Sequence, residues 1–321
     1  MNTQPPILRA SIGVVVPAYN REKLILETLN AICAQTLQPE LVVVVDDGST
    51  DATKSVLEKW QKETPIKFTF IYHQQENKGV SSARNKGLRL VKECQWVAFL
   101  DSDDVWPTDL LDRLYTEIQK DTRYIACSSE ANESFFELDN TLISSHLLSH
   151  TNGYGKHGPL GLMAAAPHIS ASIIRTDIAL KVNGFDERMK YGEDRLFIMC
   201  VSCHGLWGRV AGEPILYRCY KKSLDVNQLS NKPHQNSRVR YARLLDQNLS
   251  PLINSKEIWH KGIPWALWKG WHRAGKQLEE TGHYTWAATF YCKAAKYRPP
   301  NKSALRALLM LARSFFKQFK G

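Results

Sequence analysis

Three short apolar runs, each ending in a polar or acidic cluster, most narrow what this chain can fold into. Ile12-Gly-Val-Val-Val16 stops at Pro17, and Leu41-Val-Val-Val-Val45 stops at Asp46-Asp47-Gly48-Ser49. Trp96–Leu100 stops at Asp101-Ser102-Asp103-Asp104. Unbroken apolar, β-branched runs are typical of strands buried on both faces. Between them lie stretches with helical spacing: one carrying Leu24, Leu26, Leu29 and Ile32, then residues 51–63 and 79–93. A further strand is predicted at Phe68–His73 and a helix at 108–119. Strands alternating with helices predict an α/β fold with a largely parallel sheet flanked by helices. The polar clusters lie just past the carboxyl ends of strands, the edge where open α/β sheets bind ligands.

Other features bound the function. No apolar run approaches the ~18 residues of a spanning helix, and the opening MNTQPPILRA has no apolar signal-peptide core. A cytoplasmic protein is therefore expected, with its seven cysteines as reduced thiols. Charge divides the chain into two regions. Residues 1–225 are nearly balanced, with 25 Lys/Arg against 28 Asp/Glu, whereas 226–321 hold 17 against 4, a net of +13. Such asymmetry marks either a polyanion- or lipid-facing half or a solvated basic face.

The acidic cluster is the first chemical clue. Asp101, Asp103 and Asp104 lie within four residues at a strand end. Carboxylates so close raise one another's pKa unless a cation sits between them, and hard oxygen ligands suit Mg²⁺ or Mn²⁺. The alternative is a set of first-turn acids favouring the next helix. Gly79–Gly87 has neither the Walker nor the dinucleotide glycine spacing. A bound diphosphate would need a metal and a side-chain cation such as Arg84 instead.

Read in order, Val15-Val-Pro-Ala-Tyr-Asn20, Gln35-Thr36, Val44-Val-Asp-Asp-Gly-Ser-Thr-Asp51, Asn77-Lys-Gly-Val-Ser-Ser-Ala-Arg-Asn85 and Phe99-Leu-Asp-Ser-Asp-Asp104 resemble the family 2 glycosyltransferases. Asn183-Gly-Phe-Asp-Glu187, Gly192-Glu-Asp194 and Tyr217-Arg218 extend the resemblance, which covers about residues 10–225. It implies a GT-A fold and inverting transfer, hexosyl or similar, from a nucleotide-diphospho-sugar. The implied domains are a catalytic 1–225 and a basic, Trp-rich, all-helical extension at 226–321. The resemblance also places roles. Pro17 and Tyr19 hold the nucleobase, Asp47 reads its pyrimidine edge, and Asn77 and Arg84 lie near the nucleotide and its diphosphate. Asp101 serves the sugar nucleotide, Asp103 the divalent cation (Mn²⁺ or Mg²⁺), and Asp194 is the general base. The chemistry needs this division, because an acceptor hydroxyl is a poor nucleophile until a carboxylate takes its proton. The departing diphosphate needs a cation.

Several local alternatives stand beside these roles. Asp46 either joins the site or caps the next helix, and Glu193 rivals Asp194 at the start of the helix 194–205. Asp186 belongs to the acceptor side or to a turn, and His168 reads as a structural polar group. Cys200-Val-Ser-Cys203-His204 spells a haem-attachment pattern but falls inside that helix, so its cysteines read as core thiols. Where many relatives follow Tyr-Arg with a histidine, this chain has Tyr220, then Lys221 and Lys222.

The second half reads as helices at about 236–247, 263–280, 283–297 and 303–319. Residues 269–299 resemble one tetratricopeptide-type hairpin. One such unit cannot bury its own face, so packing on the catalytic part is expected, with Trp259, Trp265, Trp268, Trp271 and Trp286 as core. On the last helix Lys302, Arg306, Arg313, Lys317 and Lys320 form a stripe, with Leu305, Leu308, Leu311, Phe315 and Phe319 opposite and beside it. That pattern suits either an anionic membrane surface or packing on the hairpin. No nucleic-acid motif appears.

The resulting expectation is a cytoplasmic transferase, peripheral at the inner face of the plasma membrane. It moves a sugar, most readily from a UDP-sugar, to a hydroxyl of a cell-surface glycan or lipid-linked precursor. Two alternatives are a degenerate scaffold acting through the C-terminal helices and a sugar nucleotidyltransferase. The intact Asp101, Asp103 and Asp194 oppose the first. The missing Gly-rich basic loop opposes the second.

Overall fold

The computed structural model describes residues 11–137, 140–148, 167–220, 237–254, 262–297 and 302–318. Lys221, Lys222 and Trp259 lie outside them, as do the side chains of Lys302, Phe315, Lys317, Phe319 and Lys320. The chain divides into two compact units. One comprises residues 1–156, 167–187 and 205–231; the other comprises 157–166, 188–204 and 232–321.

The first unit is built on a seven-stranded sheet ordered β3-β2-β1-β4-β8-β5-β9. Its strands are β1 (Ile12–Ala18), β2 (Leu41–Asp46), β3 (Thr69–Gln74), β4 (Trp96–Phe99), β5 (Tyr124–Ser128), β8 (Ser172–Arg175) and β9 (Leu206–Arg209). Pairing is parallel through β3, β2, β1 and β4 and between β5 and β9; β8 runs antiparallel to both β4 and β5. The three apolar runs of the sequence are β1, β2 and β4, which lie side by side at the sheet's centre. Val14, Val15, Val16, Val42, Val43, Val44 and Val97 have no exposed surface, as continuous β-branched runs require.

Helices α1 (Ile25–Cys33), α2 (Thr53–Glu63), α3 (Val80–Leu90) and α4 (Leu110–Ile118) connect these strands. α3 lies tight on β1 because the contact uses glycine on both sides. A Cβ on Gly13 would meet Val91 at 2.5 Å, and one on Gly87 would collide with Val15. A smaller sheet, β10-β6-β7, comprises β6 (Ala131–Phe136), β7 (Leu142–Leu148) and β10 (Ile215–Tyr220). Val105 bridges to Leu216, which ties the acidic loop after β4 to β10. A short helix, α5 (Thr176–Lys181), follows β8.

The second unit is helical where described. It contains α6 (Glu193–Val201), α7 (Ser237–Leu249), α8 (Ile263–Glu280), α9 (Tyr284–Tyr297) and α10 (Lys302–Gln318). Its core gathers Ala242, Trp271, Leu278, Phe290, Tyr291 and Met310. Trp271 lies edge-on to Phe290, but Trp286 is exposed, so the tryptophans are not uniformly core. α7 and α10 supply surfaces that the α8–α9 hairpin cannot provide for itself.

Candidate active site

The strand order reverses beside β1, since β2 and β3 lie to one side of it and β4 to the other. A crevice at the carboxyl ends of the strands is expected at such a switch point. Pro17 near the end of β1, Arg84 on α3, and Tyr19, Asp47, Asn77, Asp101 and Asp103 on the loops that follow the strands lie at this edge, and the loops are cross-bonded. Asp47 N–H donates to Ala18 O, which aligns the ends of β1 and β2. Asn20 N–H donates to Ser49 Oγ, Thr50 N–H to Asn20 Oδ1, and Arg21 N–H to Thr53 Oγ1. Glu22 and Asp51 exchange roles in the same lacing, with Glu22 N–H donating to Asp51 and Glu22 accepting from Ala52 N–H. Tyr19, at the tip of the first loop, is exposed while Pro17 is buried in β1.

The paired aspartates after β2 do different work. Asp46 accepts from Ser49 N–H and from the Tyr72 hydroxyl, so it closes the turn that leads to α2. Asp47 accepts from Gln75 Nε2, Lys78 N–H and Gly79 N–H, fastening the loop that enters α3. Gly48 has a φ of +77°, and a Cβ there would sit 3.0 Å from the Asn77 nitrogen. A side chain at residue 48 would crowd Asn77 and strain the left-handed backbone, so glycine favours the close approach of Asn77 to the Asp47 turn.

The acidic loop is held by arginines. Arg84 Nη2 donates to Asp101 Oδ1 at 2.6 Å, and its guanidinium lies 5.2 Å from the centre of the Phe185 ring. Arg21 Nη2 donates to Asp103 Oδ2 at 3.3 Å. Arg218 spans three groups: its N–H donates to Asp104 Oδ1, its Nε to Asp103 O and its Nη2 to Glu27. Burial disfavours charge on all three acids. At Asp101 the Arg84 guanidinium outweighs that penalty and holds the carboxyl below its usual range. Burial raises Asp103, with the Asp101 charge adding to it and Arg21 opposing. Burial pushes Asp104 well up, with Asp103 and Asp101 adding to the rise.

These acids have distinct environments. Asp104 has no exposed surface and accepts from the Arg218 backbone, so it serves as an internal brace. His168 lies 3.9 Å from Asp104 and packs on Tyr217, a structural setting. Asp101 and Asp103 remain partly open to solvent. Their donor set suits a cation that takes one or two carboxylates and completes its shell with water and phosphate oxygens, the habit of Mg²⁺ and Mn²⁺. Such a cation would relieve the rise at Asp103, to which burial contributes first and the Asp101 charge adds. Among the described residues no three His, Cys, Asp or Glu side chains form a preassembled metal cage.

Four anchoring residues, Asn85, Gln35, Arg21 and Arg218, have no role assigned from the sequence. The Asn85 amide pairs with the backbone of Phe185 in both directions, Nδ2 to Phe185 O and Phe185 N–H to Oδ1, and also donates to Glu187. It fastens Asn183–Glu187 to α3 and seats Phe185 against Phe99. Gln35 spans Pro107 O and Leu111 N–H at the start of α4. Arg21 had no motif to flag it, whereas Asn85, Gln35 and Arg218 all lay within quoted segments.

In the helical unit, Gly192 takes a left-handed conformation (φ +72°) and opens α6. Asp194 sits in the first turn, partly exposed, and accepts from Arg195 N–H; Glu193 is buried. Cys200 and Cys203 are buried thiols. Cys203 lies against Met199 O, and burial pushes its thiol up to about 12. All seven cysteines are free.

Residues 13–161 match the family model described as glycosyl transferase family 2. This segment belongs to that family. Glycosyltransferase GlyA of Streptococcus pneumoniae serotype 4 is 34% identical over 137 residues, 43% of this chain and 19% of the relative. Minor teichoic acid biosynthesis protein GgaB of Bacillus subtilis is 26% identical over 254 residues, 76% of this chain and 27% of the relative. The chain thus spans less than a third of the length of either. The crystal structure of S. aureus TarS 1–349 in complex with UDP-GlcNAc superposes with a TM-score of 0.71 at 22% identity. It covers 94% of this chain and 87% of that one. The likeness is one of fold, and the fold is GT-A.

Proposed function

We propose that this family 2 chain is an inverting glycosyltransferase. It moves a sugar from a nucleotide-diphospho donor, a UDP-sugar by preference, to a hydroxyl of a surface glycan or lipid-linked precursor. The observation that carries the reading is the convergence of Tyr19, Asp47, Arg84, Asp101 and Asp103 at the switch-point edge, within a segment of that family. The catalytic part as proposed is residues 1–225, and it includes α6 even though α6 groups with the helical unit.

In this reading Tyr19 stacks on the nucleobase, above Pro17. Asp47 meets the base edge with the acceptor capacity left beyond its three internal bonds. Asn77 borders the nucleotide, and Arg84 directs its guanidinium to the diphosphate side while holding Asp101 for the sugar nucleotide. Asp103, beside Asp101, would hold Mn²⁺ or Mg²⁺. The cation would supply Lewis-acid neutralisation of the departing diphosphate. Asp194 takes the acceptor proton as its oxygen attacks the anomeric carbon, a transfer worth typically ~10²–10⁴-fold. Asp194 is preferred to Glu193 as base because it is the more exposed of the two.

The relative GgaB is named for teichoic acid biosynthesis, which supports a surface-polymer acceptor. The same reading places the enzyme at the inner face of the plasma membrane, held by its basic C-terminal region, where a lipid-linked acceptor lies. The test is incubation of the purified protein with a panel of nucleotide sugars and Mn²⁺. Release of the nucleoside diphosphate from one donor, lost in Asp101→Asn, is the expected result. Pyrophosphate chemistry would indicate a nucleotidyltransferase, and inertness towards every donor a scaffold.

A further inference from the structure

The last helix offers solvent a different face from the one its basic stripe suggests. Ser303, Ala307 and Met310 are buried, so α10 seats this side within the helical unit. The described arginines of the stripe turn to α8: Arg306 Nη1 donates to His272 Nε2 at 3.3 Å, and Arg313 Nη1 to Glu279 at 3.2 Å. Leu305, opposite the buried side, is 64% exposed; Leu308 and Leu309 beside it are 66% and 51% exposed, and Leu311, nearer the buried side, is 49% exposed. At 100° per residue these leucines, with the exposed Ala304 and Ala312, form one continuous apolar arc. Single exposed apolar side chains are ordinary on a protein surface, but a contiguous patch marks a site of association.

We infer that the leucine arc of α10 is the face by which this chain seats on an anionic lipid surface. The inference deepens the peripheral-membrane part of the proposed function and does not depend on the transfer chemistry. Charge decides the occupant. The arc belongs to residues 226–321, whose net charge is +13. A second copy docked there would bring two such regions together, whereas an anionic leaflet attracts them. Lys293 and Lys296 are exposed on the neighbouring helix α9. Trp286, 59% exposed, stands near the far end of α10, where Thr285 and Ser314 share a hydrogen bond. An amphipathic indole beside leucines and lysines is the composition of an interfacial anchor. Among the described residues no helix is long and apolar enough to cross a membrane, so the helix would lie in the surface.

The experiment is sedimentation of the full chain with vesicles of phosphatidylcholine alone and of phosphatidylcholine mixed with phosphatidylglycerol. Wild type is expected to bind the mixed vesicles more tightly than the neutral ones. Leu305→Gln/Leu308→Gln/Leu309→Gln should keep its thermal midpoint, since these side chains face solvent, and lose about tenfold or more of its binding. Lys293→Gln/Lys296→Gln should weaken binding in low salt but not at 1 M, where the Debye length is about 3 Å. If the leucine variant binds like wild type, the arc is not the contact, although the peripheral reading survives. If wild type binds no vesicle, both fall. A dimer in light scattering that the leucine variant abolishes would overturn the inference in favour of a second copy.

Discussion

Arg84 and Asp101 form a nearly enclosed ion pair at 2.6 Å, with the arginine side chain 4% exposed and the aspartate 26%. The arginine reaches from α3 to the loop after β4, so the pair fixes one element of the site against another. Removing one partner of a fully buried pair costs about 3–5 kcal/mol. Solvent at Asp101 lessens the cost here, and Arg84→Met is expected to lose about 2 kcal/mol. Asp101→Asn in the same chain should recover part of that loss, because the stranded charge is gone. Urea unfolding of the two single variants and the double variant provides the check. Losses that simply add would show that the two side chains are not coupled.

Asp103 shares its loop with Asp101 but is held more loosely, by Arg21 at 3.3 Å. If it is the cation ligand, Asp103→Asn should weaken nucleotide binding in Mn²⁺ and reduce transfer to background. EDTA should do the same to wild type and have little further effect on the variant. Calorimetric titration with the nucleoside diphosphate, with and without Mn²⁺, measures both effects. Full activity of Asp103→Asn in chelator would remove the metal from this residue.

The two acids that open α6 make separable predictions. Asp194→Asn keeps the size of a partly exposed side chain but removes its basicity. Donor affinity should stay close to wild type while turnover drops by ~10²-fold or more. Glu193 is 7% exposed, so Glu193→Gln should act mainly on stability and leave the turnover of folded enzyme near wild type. Single-turnover assays at saturating donor separate the two. Retained turnover in Asp194→Asn together with its loss in Glu193→Gln would reverse the assignment of the base.

How much of this was legible depended on how local each signal was. β1, β2 and β4 were readable because each is an unbroken apolar run with an abrupt polar end, and the edge that carries the site followed from the order of those ends. Antiparallel β8 was not readable, because Ser172-Ile-Ile-Arg175 is too short to carry a period and gains its place by pairing β4 with β5. Asp101 and Asp103 announced themselves by spacing, but their arginine partners lie 17 and 82 residues away in sequence. The basic stripe of α10 is a helical-period pattern whose described members are Arg306 and Arg313, and periodicity names faces without saying which one a neighbour takes. His272 and Glu279 on α8 supplied partners for Arg306 and Arg313, which left the leucines outside.

That same contact gives the helical unit a pH dependence. Ser303, without exposed surface, accepts from Trp268 Nε1 and is bonded to His272 Nδ1 at 2.7 Å. Arg306 can only donate, so His272 Nε2 accepts and the ring is neutral, with its proton on Nδ1. Charging the ring would break the Arg306 bond and set two cations together. Burial, then the Arg306 and Lys276 charges, lower the His272 pKa, while Glu279 opposes them. The unfolded chain therefore takes up this proton more readily than the folded one. The stabilisation is complete above the unfolded value of about 6.5 and is lost as pH falls from there through the lower folded value. His272→Gln keeps an acceptor for Arg306 and a donor for Ser303 but does not titrate. Thermal midpoints of wild type should fall more steeply than those of His272→Gln below about pH 6.5, and the two curves should run parallel above it. Parallel curves throughout would mean that His272 gains its proton equally easily in both states, and the neutral-ring network would be wrong.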